Sequence, residues 1–212
     1  MNKSAMRYLL FSVFTVLVVG CASDYSYLKV ASTDSSSCAD KIKPRYLSTA
    51  WYTAAVDVYG THISGLLLIK NMPDSSIRVV FTNEAGVTFF DFGFLADDKF
   101  KVYSIIDKMD RKPVIQTLRK DFELILGLSF RNGKIESWTG NEQLFFGVKQ
   151  KKETAYFITS KDCASLRNME LGSKRKRKVS VQVNGSYPLP EGFEITHYLF
   201  DMKLKLTYLP KE

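Results

Sequence analysis

The chain predicts a mainly β domain with a helix, an α+β fold built on a curled antiparallel β-sheet or incomplete β-barrel packed around one or more helices. Three observations predict it. The stretch Ile77–Leu95, IRVVFTNEAGVTFFDFGFL, alternates as two strands around a tight turn. Between Asp110 and Gly127 the apolar residues change to helical spacing, at Ile115, Leu118, Phe122, Ile125 and Leu126. Strand-like segments then return as far as Leu209, and a sheet of that size should curl rather than lie flat. A length of 212 residues suits one such domain, with aromatic residues enough for a core.

The first residues set the compartment. Lys3 and Arg7 precede a short apolar run, Tyr8–Val19, which is too short to span a bilayer as a helix and reads as the core of an export signal. Leu17-Val18-Val19-Gly20 before Cys21 resembles the bacterial lipobox. That resemblance implies acylation of the Cys21 thiol, cleavage before Cys21 and acylation of the new amine. The alternatives are a plain secretory signal with an incidental cysteine, or an uncleaved anchor. Ala22, not Asp, follows Cys21, which points to the outer membrane. The chain then divides into a signal peptide (1–20), a lipid anchor and flexible tether (21–45), and a folded domain (46–212). Loss of Lys3 and Arg7 leaves 28 basic against 22 acidic residues, a net charge of +6 suited to an anionic membrane surface. Export argues against a nucleic-acid partner. It also permits a disulfide between Cys38 and Cys163, although Cys38 lies in a polar tail and nothing in the sequence brings the two together.

Ala22–Lys43 is polar and carries Asp34-Ser35-Ser36-Ser37, hence the tether. Folding is expected to start near Tyr46, with strands at Ala50–Tyr59 and His62–Lys70 around Tyr59-Gly60-Thr61. A turn at Asn71-Met72-Pro73-Asp74 leads into the hairpin. A four-residue loop, Asn83-Glu84-Ala85-Gly86, would pair Thr82 with Val87 and set Arg78 opposite Asp91, with Gly86 supplying positive φ. Ile77, Val79 and Phe81 then share a face with Thr88, Phe90, Phe92 and Phe94. This aromatic face is either ordinary core or the wall of an apolar ligand cavity. Phe100–Ile105 follows. The helix is expected from Asp110 as N-cap, with Pro113 in its first turn and Gly127 as its stop. Three hairpins close the chain: Leu144–Lys149 with Ala155–Ser160, Leu166–Leu171 with Val179–Asn184, and Phe193–Leu199 with Met202–Leu209. In the last strand Met202, Leu204, Leu206 and Tyr208 share one side.

Little here suits catalysis. The two histidines, His62 and His197, have neither metal-ligand spacing nor a neighbouring nucleophile. Nucleophile elbows, zinc-binding pairs and phosphate-cradling glycine loops are missing, so no catalytic or metal-binding residue and no cofactor is expected. Asp97-Asp98 reads as a solvated turn. The basic run Lys174-Arg175-Lys176-Arg177-Lys178 is either a solvated hairpin turn or a contact to anionic head groups, where each basic residue contributes about 1 kcal/mol.

Taken together, Gly65–Phe94 (GLLLIKNMPDSSIRVVFTNEAGVTFFDFGF), the helix Asp110–Leu126 and Leu189–Leu209 (LPEGFEITHYLFDMKLKLTYL) resemble the LolA/LolB-like fold of lipoprotein-localisation factors. They correspond to its early meander, its cavity-filling helix and its closing hairpin. The resemblance implies an incomplete barrel whose concave interior holds acyl chains. Applied to this chain it gives a lipid-anchored, periplasm-facing protein that binds an acyl lipid or a lipidated partner. One wall would be Phe81, Phe90, Phe92 and Phe94, and the other Ile115, Leu118 and Phe122. Outer-membrane receptors of the family carry a bulky apolar side chain on a protruding early loop, whereas Glu84-Ala85-Gly86 here offers only Ala85. The second reading is an envelope lipoprotein with a packed core and a protein partner.

Overall fold

The structure is a computed structural model that describes residues 23–31, 36–43, 49–131, 133–150, 152–173 and 175–210. The signal segment, Cys21 and Lys174 lie outside the described residues. Among the described residues thirteen strands form one antiparallel sheet: β1 (Lys29–Val30), β2 (Thr49–Val58), β3 (Thr61–Asn71), β4 (Ile77–Thr82), β5 (Thr88–Phe94), β6 (Phe100–Ile105), β7 (Ile135–Gly140), β8 (Gln143–Lys149), β9 (Thr154–Ser160), β10 (Leu166–Gly172), β11 (Arg177–Asn184), β12 (Gly192–His197) and β13 (Met202–Leu209). The spatial order is β1-β7-β8-β9-β10-β11-β12-β13-β2-β3-β4-β5-β6. Eleven of the thirteen are expected above; β1 and β7 are not, and neither is the pairing of β13 with β2 that joins the two halves of the chain. The sheet curls without closing, with β1 and β6 at its edges, so the incomplete-barrel form holds and a closed barrel does not.

Helix α1 (Ser36–Ile42) and helix α2 (Lys112–Ile125) complete the fold, with a short 3-10 turn at Leu128–Phe130. The apolar stripe of α2 buries Leu118, Phe122 and Ile125. That stripe makes a helix inside a curled sheet stable, since neither surface could face water alone. The N-cap of α2 is Arg111 in extended conformation, without a side-chain cap, and not Asp110. Asp110 is occupied one turn earlier, its N–H donating to Ile106 O at 3.0 Å. Gly127 stops the helix at φ +59°, and Pro113 fits the first turn because no helical bond needs its missing N–H.

The hairpin β4–β5 keeps its predicted faces and changes its register. Ile77, Val79 and Phe81 pair with Phe94, Phe92 and Phe90, all turned inward. A bulge between Phe81 and Thr82 sets Thr82 against Thr88 and Arg78 against Gly93. Arg78 still reaches Asp91 diagonally, donating from Nε to Oδ1 at 2.8 Å. The loop itself takes up the extra residue: Asn83 N–H donates to Val87 O at 2.9 Å, and Gly86 has φ +82°.

The stretch expected to be a tether is docked wherever it is described. Tyr25 is buried against Tyr156 on the outer face of the sheet, and its hydroxyl donates to Glu170 Oε2 at 3.1 Å. Leu28 and Trp138 pack against the same small cluster, and β1 pairs with β7. On α1, Cys38, Ala39 and Ile42 join the main core, and Cys38 is bonded to Cys163 across a Cα–Cα distance of 5.6 Å. A polar segment holding a few well-placed apolar residues has folded onto the domain. Cross-linking residues so far apart in sequence removes much of the freedom of the unfolded chain.

Turns alternate between the two rims of an antiparallel sheet. On one rim lie the β2–β3 turn, the β4–β5 loop, the exit of β6, the β10–β11 turn and the β12–β13 loop. The opposite rim carries the β9–β10 loop with Cys163, and there α1 covers the interior. Helix α2 runs from the first rim toward the second, where Tyr187 Oη donates to Ile125 O at 3.2 Å.

Candidate functional site

The interior is filled at one end and hollow at the other. Phe92, Phe94 and Phe100 pack ring against ring, with the Phe92–Phe100 centroids 5.2 Å apart and the Phe94–Phe100 centroids 5.3 Å apart. Toward the first rim the inward positions of these three strands carry aliphatic side chains in place of rings: Ala54, Val56 and Val58 on β2, Ile63 and Leu67 on β3, Met202 and Leu204 on β13. There the sheet and α2 part around a cavity of about 540 Å³, within the range of small-molecule sites. Val114, Thr117, Leu118 and Phe122 of α2 form the opposite wall, and Lys108 is the only charged side chain among the lining residues. Its exposed lining residues, Tyr59, Thr61, Lys108 and Pro113, all lie at the first rim, so the cavity opens there.

Of the seven side chains expected to wall a cavity, Phe81, Phe90, Leu118 and Phe122 line it. Phe92 and Phe94 do not: they are 0% and 2% exposed inside the filled end. Ile115 is half-buried and lies off the lining, because it falls on the flank of α2 beside Val114. The missed walls come from β2, β3 and β13. The alternation of Met202 and Leu204 marked an inward face, but nothing local said that β13 would lie beside β2.

Behind the helix wall sits a buried polar pair. His197 Nε2 and Asp121 Oδ2 are 3.1 Å apart, and both side chains are almost fully enclosed. Burial pushes the Asp121 carboxyl up from the usual carboxylate range, against the hydrogen bond to His197 that holds it down. The His197 ring lies on Phe200, with centroids 4.7 Å apart, and Phe200 in turn lines the cavity. This pair ties α2 to β12. Both side chains are almost closed to solvent, as suits a structural tie. A second tie is Glu153, which accepts from Lys120 Nζ at 2.7 Å and from Lys178 Nζ at 2.6 Å. Burial pushes the Glu153 carboxyl up, but these two hydrogen bonds outweigh it and hold it below its usual value. The other histidine, His62, lies at the surface, its Nδ1 2.7 Å from Asp57 Oδ1. Among the described residues no group of three His, Cys, Asp or Glu could hold a metal ion, and no helix is long and apolar enough to cross a membrane.

The basic run is less free than its sequence suggests. Arg177 is ion-paired to the buried Glu170 at 3.1 Å, and Lys178 is held by Glu153. Arg175 and Lys176 in the β10–β11 turn are exposed.

Among solved structures, a LolA superfamily protein from Nitrosomonas europaea superposes with a TM-score of 0.53 over 84% of this chain and 93% of that one, at 8% sequence identity. A DUF1329 family protein from Desulfovibrio piger aligns more loosely, at a TM-score of 0.35 and 10% identity, covering 76% of this chain and 84% of that one. Neither a family model nor a curated protein matches the chain. The first likeness shows a LolA/LolB-like fold.

Proposed function

We propose that this protein is a lipid-anchored, periplasm-facing binding protein of the bacterial envelope that takes an acyl chain, free or carried by a lipid or lipidated partner, into the cavity between α2 and the curled sheet. The observation that carries the reading is the cavity: about 540 Å³, lined almost wholly by apolar side chains and open at one rim. Such a space gains nothing from water and much from methylenes, at about 0.8 kcal/mol for each one buried. Ten methylenes would contribute roughly 8 kcal/mol before the costs of ordering chain and protein. Phe81, Phe90, Leu118 and Phe122 are the side chains that would touch the ligand. The fold shared with a LolA superfamily protein supports a carrier rather than an enzyme.

In this reading residues 1–20 are removed as an export signal, Cys21 carries the acyl anchor, and Ala22 directs the protein to the outer membrane. The test is native mass spectrometry of the chain from residue 21, purified gently from a bacterial host and followed by lipid extraction. A bound species that yields a fatty acid or phospholipid is the expected result. Protein that emerges empty, and that binds no fluorescent fatty acid, would overturn the proposal in favour of an envelope protein with a protein partner.

A further inference from the structure

The N-terminal strap, residues 23–31, is fastened to the folded domain at its first residues. Asp24 is fastened to the β10–β11 turn twice: its N–H donates to Arg175 O at 2.9 Å, and its Oδ2 accepts from Arg177 N–H at 2.7 Å. Tyr25 locks the next residue under Glu170 and against Tyr156. Only two residues, Ala22 and Ser23, therefore lie between Cys21 and Asp24, and the three steps reach at most about 11 Å at ~3.6 Å per residue. The Asp24 end of this strap docks on the rim where the cavity opens, and the chain then crosses the outer face toward β7. The β12–β13 loop lies two strand spacings along that rim, about 10 Å away.

That rim also carries exposed apolar side chains. Tyr59, at the tip of the β2–β3 turn, is 73% exposed, and Leu199, in the β12–β13 loop, is 64% exposed. Their two loops are joined, Tyr59 N–H donating to Asp201 O at 3.2 Å, and the Tyr59 ring stacks on Phe200 with centroids 6.3 Å apart. A tyrosine beside a leucine on turns held by backbone bonds suits the boundary between head groups and acyl chains, where an amphipathic ring keeps its hydroxyl wet. Charge is mixed around them. Lys108, Arg111, Lys112, Arg175 and Lys176 stand exposed with Asp57, Asp107, Asp110 and Asp201, so the apolar tips and the short anchor, rather than net charge, select the occupant.

We propose that this rim is a bilayer-docking face: Tyr59 and Leu199 enter the head-group layer of a phospholipid membrane and hold the cavity mouth against the surface in which Cys21 is anchored. The proposal rests on the reading of Cys21 as lipidated for its orientation, and on the exposed tips for its contacts. Acyl chains would then pass between bilayer and cavity without crossing water.

Two measurements test it. The acylated protein, confirmed by intact mass, is placed in vesicles of phosphatidylethanolamine and phosphatidylglycerol and followed by hydrogen exchange. Segments 57–61, 107–112 and 198–201 are expected to slow relative to the same protein in detergent, with the opposite-rim turns 72–76 and 161–165 unchanged. Slowing at the opposite rim, or at neither, overturns the proposal. The second uses the chain from residue 21, which retains every described element, with Cys21→Ser to remove the anchor, in flotation with the same vesicles. The Tyr59→Ser/Leu199→Ser pair should lose about tenfold or more in partitioning, the loss of one well-buried apolar side chain being enough. Unchanged partitioning overturns the docking face, and a shift of the variant from dimer to monomer would assign the rim to a second copy instead. If intact mass shows no acylation, the anchor reading fails by itself, and flotation still decides the contacts.

Discussion

Filling the cavity from its floor separates a hollow interior from a merely loose one. Ala54 is buried on β2 and lines the cavity, between Gly65 of β3 and Leu206 of β13. Ala54→Phe would project a ring into the space that α2 leaves open. Void of that kind costs about 24 cal/mol per Å³, so occupying on the order of 100 Å³ stabilises by as much as about 2 kcal/mol, less the entropy of fixing the ring. In a filled core the same substitution costs about 1–3 kcal/mol through displaced neighbours. The two cases thus differ in sign. A ring in the cavity would also displace roughly four methylenes of a bound chain, about 3 kcal/mol, so acyl affinity should fall about a hundredfold. Urea unfolding reads the stability and displacement of a fluorescent fatty acid reads the affinity. A variant destabilised by more than 1 kcal/mol would mean that the space does not exist in solution. A stable variant with native affinity would place the ligand elsewhere.

Three other outcomes follow from the packing. Cys163→Ser opens a link between residues 125 apart in sequence, and chain entropy sets the loss near 5 kcal/mol; equal urea midpoints for native and variant protein under oxidising conditions would contradict the bond. Gly65→Ala would place a Cβ 2.0 Å from Thr82 O, so β3 and β4 must separate, and a thermal midpoint within a degree or so of native would show that the strands are not so close. Glu153 has its carboxyl held below the usual value, so its clamp on Lys120 and Lys178 contributes stability above the unfolded carboxylate range and loses it as pH falls through the folded value. Glu153→Gln should therefore be less stable than native by about 1 kcal/mol at neutral pH, with the two melting curves converging in acid. Curves that stay parallel would assign the difference to something other than the charge.

Much of the sheet was legible because alternation is local. Phe81, Phe90 and Phe92 fall on the inward face whatever the register, since a bulge shifts partners without turning the faces already set on either side of it. The register was not legible: a loop drawn from Asn83-Glu84-Ala85-Gly86 alone cannot show that a bulge after Phe81 sets Thr82 against Thr88 and not Val87. Strand β7, reading Ile-Glu-Ser-Trp-Thr-Gly, has too little alternation to stand out. It is a strand because β8 pairs along its whole length. The strap and α1 were hidden for a similar reason. Tyr25, Cys38 and Ile42 are scattered among serines and aspartates, and their apolar partners, Tyr156 and the β9–β10 loop, lie more than a hundred residues away.

The candidate site was half legible, and the missing half explains why a cavity exists at all. Sequence marks where large apolar residues gather, so it favoured Phe92 and Phe94, which turn out to fill space rather than enclose it. A cavity arises where facing positions are too small to meet. Along β2 the inward residues drop from Tyr52 to the smaller Ala54, Val56 and Val58 toward the rim, while across the sheet the rings of Phe90, Phe92 and Phe100 stack toward the other end. Helix α2 crosses this gradient, entering beside Val114 and Leu118 and ending where Phe122, Ile125 and the 3-10 turn meet the rings. The same helix is therefore packed at its C-terminal half and stands off from the sheet at its N-terminal half. His197–Asp121 and the Glu153 clamp fasten its middle. A helix anchored there can keep its first turns apart from the sheet without collapsing onto it. The hollow is thus built by aliphatic side chains on three strands, smallest on β2, and kept open by two polar ties, and neither is visible as a motif.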